Sequence, residues 1–128
     1  MIWFSVFMFF CEILIPVMMI FIGVFFLKFP PKKINRFYGY RTASSMKSIY
    51  TWEFSHIYCG KLLIPFGLMT LFPSLILAVF VFNMPSDITS AVAGVLCVLQ
   101  IVPIVVAIAL TESAINKNFD KSGNRKTE

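Results

Sequence analysis

Residues 62–82 read LLIPFGLMTLFPSLILAVFVF. A predominantly apolar run of roughly 17–25 residues is what an α-helix needs to cross the hydrocarbon core of a bilayer, and this run meets that length. Working outward, residues 2–27 and 88–110 meet it as well. Each run is interrupted: Glu12 and Pro16 in the first, Pro65 and Pro73 in the second, Gln100 and Pro103 in the third. Neighbouring helices can re-satisfy the backbone groups a proline frees inside a membrane, so the prolines predict kinks and not ends. The first run is expected to stay attached. It has no basic leading segment, outruns the roughly 7–15-residue apolar core of a secretion signal, and shows no small-residue cleavage site before Lys28.

Composition agrees. The 128 residues are 59% hydrophobic and 13% charged, against about 25% charged in an ordinary soluble domain, which leaves too little polar surface to cover a water-soluble globule. Basic residues are distributed unevenly. The connection from Lys28 to Ser48 holds Lys28, Lys32, Lys33, Arg36, Arg41 and Lys47 and no acid, whereas the link from Asn83 to Asp87 holds no base. Cytoplasmic loops carry the excess of Lys and Arg, so the first loop is expected in the cytoplasm, the N-terminus outside and the C-terminus inside, in a multi-pass protein of the cytoplasmic membrane. The net charge of +5 then reads as a topology and anionic-headgroup signal, and nucleic acid is not expected as a partner. Cys11, Cys59 and Cys97 are scattered, which implies neither a disulfide framework nor a metal knuckle.

Between the first two spans, Met46, Ile49, Tyr50, Phe54, Ile57 and Tyr58 recur at helical spacing, with Ser44 or Ser45 available as a cap. Two geometries are open: an interfacial amphipathic helix that bends near Gly60 or Pro65 before the span, which is the preferred one, or a single long helix. MPSDITS at residues 84–90 reads as a tight exterior turn, with Ser86 or Asp87 capping the third span. The fold expected is an all-α integral membrane protein. Three transmembrane helices occupy residues 1–115, a cytoplasmic motif loop and an amphipathic helix precede the second span within 28–61, and a polar tail over 116–128 is expected to be disordered.

The loop itself, FPPKKINRFYGYRTASSMKSIYTWEFSHIYCGK at residues 29–61, is the densest patch of chemistry. Pro30 and Pro31 stop the first helix. Gly39 between two tyrosines suggests positive φ or close backbone approach. Arg41 and Thr42 then lead into a serine-rich helix start, where backbone amides and a guanidinium suit a phosphate or carboxylate. The segment is similar to the hallmark of the SdpI family of bacterial membrane proteins, an Asn-x-x-x-Gly-Tyr-Arg-Thr core followed by a Ser-Met-Lys-like element and a Trp. Here these are Asn35, Gly39, Tyr40, Arg41, Thr42, Ser45, Met46, Lys47 and Trp52, closed by Gly60 and Lys61. The resemblance covers about a quarter of the chain by motif and implies a short member holding only the motif-bearing module. The founding member is longer, confers immunity on cells that secrete a toxic peptide, and holds a transcriptional repressor at the membrane. Where the family pattern has an asparagine after the Trp, this chain has His56.

The candidate ligand or motif residues are Asn35, Gly39, Tyr40, Arg41, Thr42, Ser45, Lys47, Trp52, Glu53 and His56, and the candidate intramembrane polar residues are Glu12 and Gln100. Arg41 is expected to make a directed contact, either to an anion, to loop carbonyls or to Glu53. Glu53 and His56 share a helix face at a spacing used by carboxylate-bridged metal sites, but no second copy of the pair exists in the chain. No nucleophile-base-acid set, phosphate loop or zinc-ligand set can be assembled, so neither catalytic residues, cofactor nor metal are assigned. Tyr38, Tyr40, Tyr50, Tyr58 and Trp52 fit an interfacial aromatic belt. Ser90 with Gly94, and Ala107 with Thr111, offer small-residue helix contacts.

Three function classes follow. The leading one, implied by the resemblance, is membrane immunity or tolerance against an antimicrobial peptide, with a signalling role attached. The second is an anionic-lipid or lipid-phosphate binder, transporter or membrane enzyme. The third is a structural or regulatory membrane subunit. The partners these imply are membrane lipids, a peptide toxin, a cytoplasmic regulator and a second copy of the chain.

Overall fold

The computed structural model describes residues 2–81 and 83–126. Phe82, the expected end of the second span, and the last two residues of the tail lie outside the described residues. Three long helices make up the fold: α1 (Ile2–Lys28), α2 (Ile49–Val81) and α3 (Ser86–Asn118), with one 3₁₀ turn at Ser45–Lys47. Each is long and apolar enough to cross a membrane, over Val6–Lys28, Ile49–Val81 and Asp87–Asn118. The side chains they turn outward, such as Trp3, Phe7, Phe10, Phe21, Met69, Val79 and Phe80, are large, apolar and exposed. Such a surface is stable only against hydrocarbon. The molecule is an all-helical membrane protein.

Of the two geometries open for the second span, the structure takes the less favoured. Residues 49–81 form one continuous 33-residue helix, with no break between the loop end and the span. The reason is the face it buries. Trp52, His56, Cys59, Leu63, Gly67 and Ser74 continue one buried stripe from the loop end deep into the span, and spacings of three, four and seven keep such residues on one side of a helix. Gly60 is a contact point and not a hinge. A Cβ on Gly60 would lie 2.9 Å from the Gly23 carbonyl oxygen, and one on Gly23 would lie 3.1 Å from the Gly60 carbonyl oxygen. The backbones of α1 and α2 touch there, as small residues permit.

Pro16, Pro65, Pro73 and Pro103 are accommodated inside helices, and of these Pro16 is buried. Pro16 has no N–H for the carbonyl of Glu12, four residues back, and the side-chain amide of Gln100 on α3 supplies the missing donor at 2.9 Å. The same amide also donates to Ser74 Oγ on α2 at 2.8 Å, so one glutamine ties all three helices at mid-bundle. The two small-residue pairs differ. Ala107 and Thr111 are fully buried, but a Cβ on Gly94 would meet nothing within 4 Å, so Gly94 faces away from this bundle. At the α2–α3 turn the N-cap position belongs to Pro85, without a side-chain cap. Thr89 fastens the turn by placing its hydroxyl near the carbonyls of Val81 and Pro85, both at 3.2 Å.

The polar tail, expected to be disordered, folds back over residues 119–126. Phe119 is buried, rests edge-on against Phe54 at 5.2 Å and carries the Arg125 guanidinium above its ring. Asp120 closes the reversal by accepting from the backbone N–H groups of Ser122 and Asn124. Hydrogen bonds from the Ser122 side chain first, and then from the Asn124 amide, hold the Asp120 carboxyl below its usual range. One aromatic anchor and one Asx-type turn order a segment whose composition alone reads as linker.

Candidate functional site

The loop between α1 and α2 is held by its own polar side chains. Asn35 directs the first half: its Oδ1 accepts from the N–H groups of Phe37 and Tyr38, both at 2.9 Å, and its Nδ2 donates to Lys33 O. This Asx-type turn aims the chain at Gly39, whose φ of 110° is open to glycine and strained for other residues. Space requires glycine as well. A Cβ there would stand 2.7 Å from His56 Nε2 and 3.2 Å from Trp52 Cζ2.

The next residue is the hub. Tyr40 N–H donates to His56 Nε2 at 2.9 Å, and His56 Nδ1 lies 2.7 Å from Trp52 O. A carbonyl only accepts, so Nδ1 carries the proton and Nε2 is the acceptor. His56 is completely buried, edge-on to Phe26 at 4.8 Å and tilted against Trp52 at 4.6 Å. Trp52, also completely buried, donates its indole N–H to Pro31 O at 2.8 Å. The Tyr40 phenol reaches the other way and donates to Glu112 Oε1 on α3 at 2.9 Å. Burial first, and then the neighbouring Glu112, push the Tyr40 phenol up, so it remains a donor.

Beyond Tyr40 two reciprocal caps follow each other. Thr42 N–H donates to Ser45 Oγ at 2.9 Å while Ser45 N–H donates to Thr42 Oγ1 at 3.1 Å. Three residues on, Ser48 N–H donates to Thr51 Oγ1 at 3.0 Å and Thr51 N–H to Ser48 Oγ at 3.1 Å. This is the reciprocal logic of a capping box, with hydroxyls in place of the usual Glu or Gln. The cap of α2 is therefore Ser48, not Ser44 or Ser45. Ser48 Oγ also donates to Gly123 O at 2.6 Å and anchors the folded-back tail.

The candidate residues thus divide. Asn35, Gly39, Tyr40, Thr42, Ser45, Trp52 and His56 converge on one strap that closes the loop end of the bundle. Arg41 is exposed, and its Nε donates to the loop carbonyl of Asn35 at 3.1 Å. Of the contacts open to it, the loop carbonyl is realised. Lys47 is exposed at the end of the 3₁₀ turn. Glu53 is exposed beside Arg125 in a groove also lined by Tyr50 and Phe54. His56 is sealed inside with both ring nitrogens engaged, so the Glu53–His56 spacing presents no shared metal-binding face.

Glu112 was not singled out from the sequence, although it receives the Tyr40 phenol. It sits 72 positions from Tyr40, and no local pattern marks it. A second surface feature is a groove of about 620 Å³ lined by Lys28, Lys32, Lys33, Asn35, Tyr38 and Phe29. Glu12 and Gln100 lie far from the strap, buried together at mid-bundle.

A three-helix membrane bundle closed at one end by a Gly-Tyr-Arg-Thr strap is the class of protein these observations define. The model of the SdpI/YfhL protein family matches residues 32–111, from the strap through most of α3, and the chain belongs to that family. Among curated proteins it is similar to "Uncharacterized protein YfhL" of Bacillus subtilis (strain 168), with 42% identity over 52 residues that make up 41% of this chain and 47% of that protein. The chain thus spans about half the length of the curated relative it matches. No solved structure matches.

Proposed function

We propose that this chain is a membrane tolerance protein of the immunity type, protecting the cell that carries it against an antimicrobial peptide. The observation that carries the reading is the family match over residues 32–111, within which the motif side chains are the ones spent on closing the bundle. In this reading the strap lies in the cytoplasm, as the basic residues of the first loop require, with the N-terminus outside. The strap fixes the mutual positions of the three helices, and the exposed aromatic surface of α1 and the α2–α3 turn meets the peptide in or at the outer leaflet. A cytoplasmic regulator would read the exposed Arg41 and Lys47.

The test is genetic. A strain lacking the gene is challenged with a panel of secreted peptides and complemented with the wild type, with Arg41→Ala and with His56→Ala. Restoration of resistance to at least one peptide by the wild type, and by neither Arg41→Ala nor His56→Ala, is expected. Equal sensitivity of deleted and intact strains across the panel removes the reading. Single cysteines placed at residues 37 and 84 in a chain without Cys11, Cys59 and Cys97 test the orientation: residue 84 should label from outside intact cells, and residue 37 only after permeabilisation.

A second reading has its own support. The groove lined by Lys28, Lys32 and Lys33 sits where the first span ends, and its charge and aromatic wall suit the phosphate of an anionic lipid. Native mass spectrometry after mild delipidation should retain such a lipid on the wild type and lose it when the three lysines become glutamine.

A further inference from the structure

Deep in the bundle, Glu12 is 4% exposed and Gln100 is 2% exposed. The glutamine amide nitrogen is fully used, by Glu12 O and Ser74 Oγ. The two side-chain oxygens are not: Glu12 Oε2 and Gln100 Oε1 are buried without a hydrogen-bond partner. The other carboxyl oxygen, Glu12 Oε1, receives only the thiol of Cys97, at 3.6 Å. Two acceptors and no donor are therefore left in one polar layer. The elements packed around Glu12 contribute no compensating charge. α2 presents Ser74 and Ala78, and α3 presents Thr89, Cys97 and Gln100. Among the described residues no basic side chain pairs with the carboxyl.

A lone carboxylate in hydrocarbon is among the costliest groups a span can carry, and an unpaired buried acceptor is costly too. A single proton removes the charge and turns one carboxyl oxygen from an acceptor into a donor. Beside the carboxyl, on the side of the α2–α3 turn, lies a cavity of about 20 Å³ bounded by Phe9, Ala78, Val81, Thr89 and Ala93. That volume is about the size of one water, its walls are mostly apolar, and its lining includes Val81 and Thr89, which flank the α2–α3 turn.

We propose that Glu12 is a reversible proton-binding site in the core of the bundle, with Gln100 as its hydrogen-bond partner and the cavity beside it as its path to water at the α2–α3 turn. The ligand is the proton itself. The site is independent of the strap and of the tolerance reading.

Infrared spectroscopy of the purified full chain in lipid nanodiscs tests it. A protonated-carboxyl band should be present at neutral pH, absent in Glu12→Gln, shifted by deuterated buffer and lost reversibly at alkaline pH. Labelling of Glu12 by a hydrophobic carbodiimide, read by mass spectrometry on the wild type, should fall in parallel, about tenfold per pH unit once the group titrates. Absence of the band at neutral pH, or a band and labelling that alkaline buffer leaves unchanged, overturns the proposal. Loss of labelling on adding sodium at fixed pH also overturns it, in favour of a metal cation. Ala78→Val and Ala93→Val narrow the cavity from α2 and from α3, so each should keep the band and slow its deuterium shift. Unchanged rates in both overturn the path.

Discussion

At Gly39 two independent demands meet. The backbone stands at φ 110°, and any Cβ would press on the acceptor nitrogen of His56 at 2.7 Å. Gly39→Ala is expected to cost about 1–3 kcal/mol from backbone strain alone, with displacement of His56 added, and to lower the unfolding temperature in detergent. His56 is the other half of this contact. The position must offer an acceptor to Tyr40 N–H and a donor toward Trp52 O, and an asparagine amide has one of each. His56→Ala leaves Tyr40 N–H buried and unpaired and opens a cavity against Phe26 and Trp52, a loss of about 2–5 kcal/mol. His56→Asn should recover about 1–3 kcal/mol of it. Denaturant titrations of the three proteins in one detergent check the order, and an asparagine variant no better than the alanine one refutes it.

The helices show where periodicity informs and where it does not. Apolar run length placed all three spans, because hydrocarbon thickness is a property any sequence window can be compared with. The continuity of α2 was less legible. Whether Gly60 bends or packs depends on Gly23, which lies on another helix. The same limit explains Gly94, whose spacing from Ser90 fits a contact that this bundle does not make. The two glycines therefore give a paired prediction. Gly60→Ala forces the α1 and α2 backbones apart and should cost on the order of 1–3 kcal/mol, in the range of overpacked cores. Gly94→Ala enters open space and should stay within about 0.5 kcal/mol of the wild type. Resistance to unfolding in mixed micelles separates the two, and equal losses would mean that Gly94 faces a second copy of the chain.

Across the whole molecule the strap works because it reaches elements that the sequence does not place together. Half of the site was legible: Gly39, Trp52 and the Tyr-Arg-Thr run stand out locally. Glu112, the paired hydroxyl caps and the docking of Gly123 on Ser48 did not, since each is defined by a partner that only the tertiary fold supplies. Tyr40 is where these reaches cross. Its N–H is fixed by α2 through His56 and its phenol by α3 through Glu112, so the Tyr40–Glu112 bond is a tether for α3 at the strapped end. Tyr40→Phe removes the donor and keeps the ring. Glu112→Gln keeps an acceptor but removes the charge that strengthens the bond. If the two residues act through one contact, the double variant should lose little more than the worse single one, with a coupling of about 0.5–3 kcal/mol from the thermodynamic cycle. Both single variants should also raise the labelling of a cysteine introduced at Ser44, beside the tether, while leaving one at residue 84 unchanged. Strict additivity of the two losses would show that Tyr40 and Glu112 stabilise the bundle through separate contacts, and that the bond between them is not the tether.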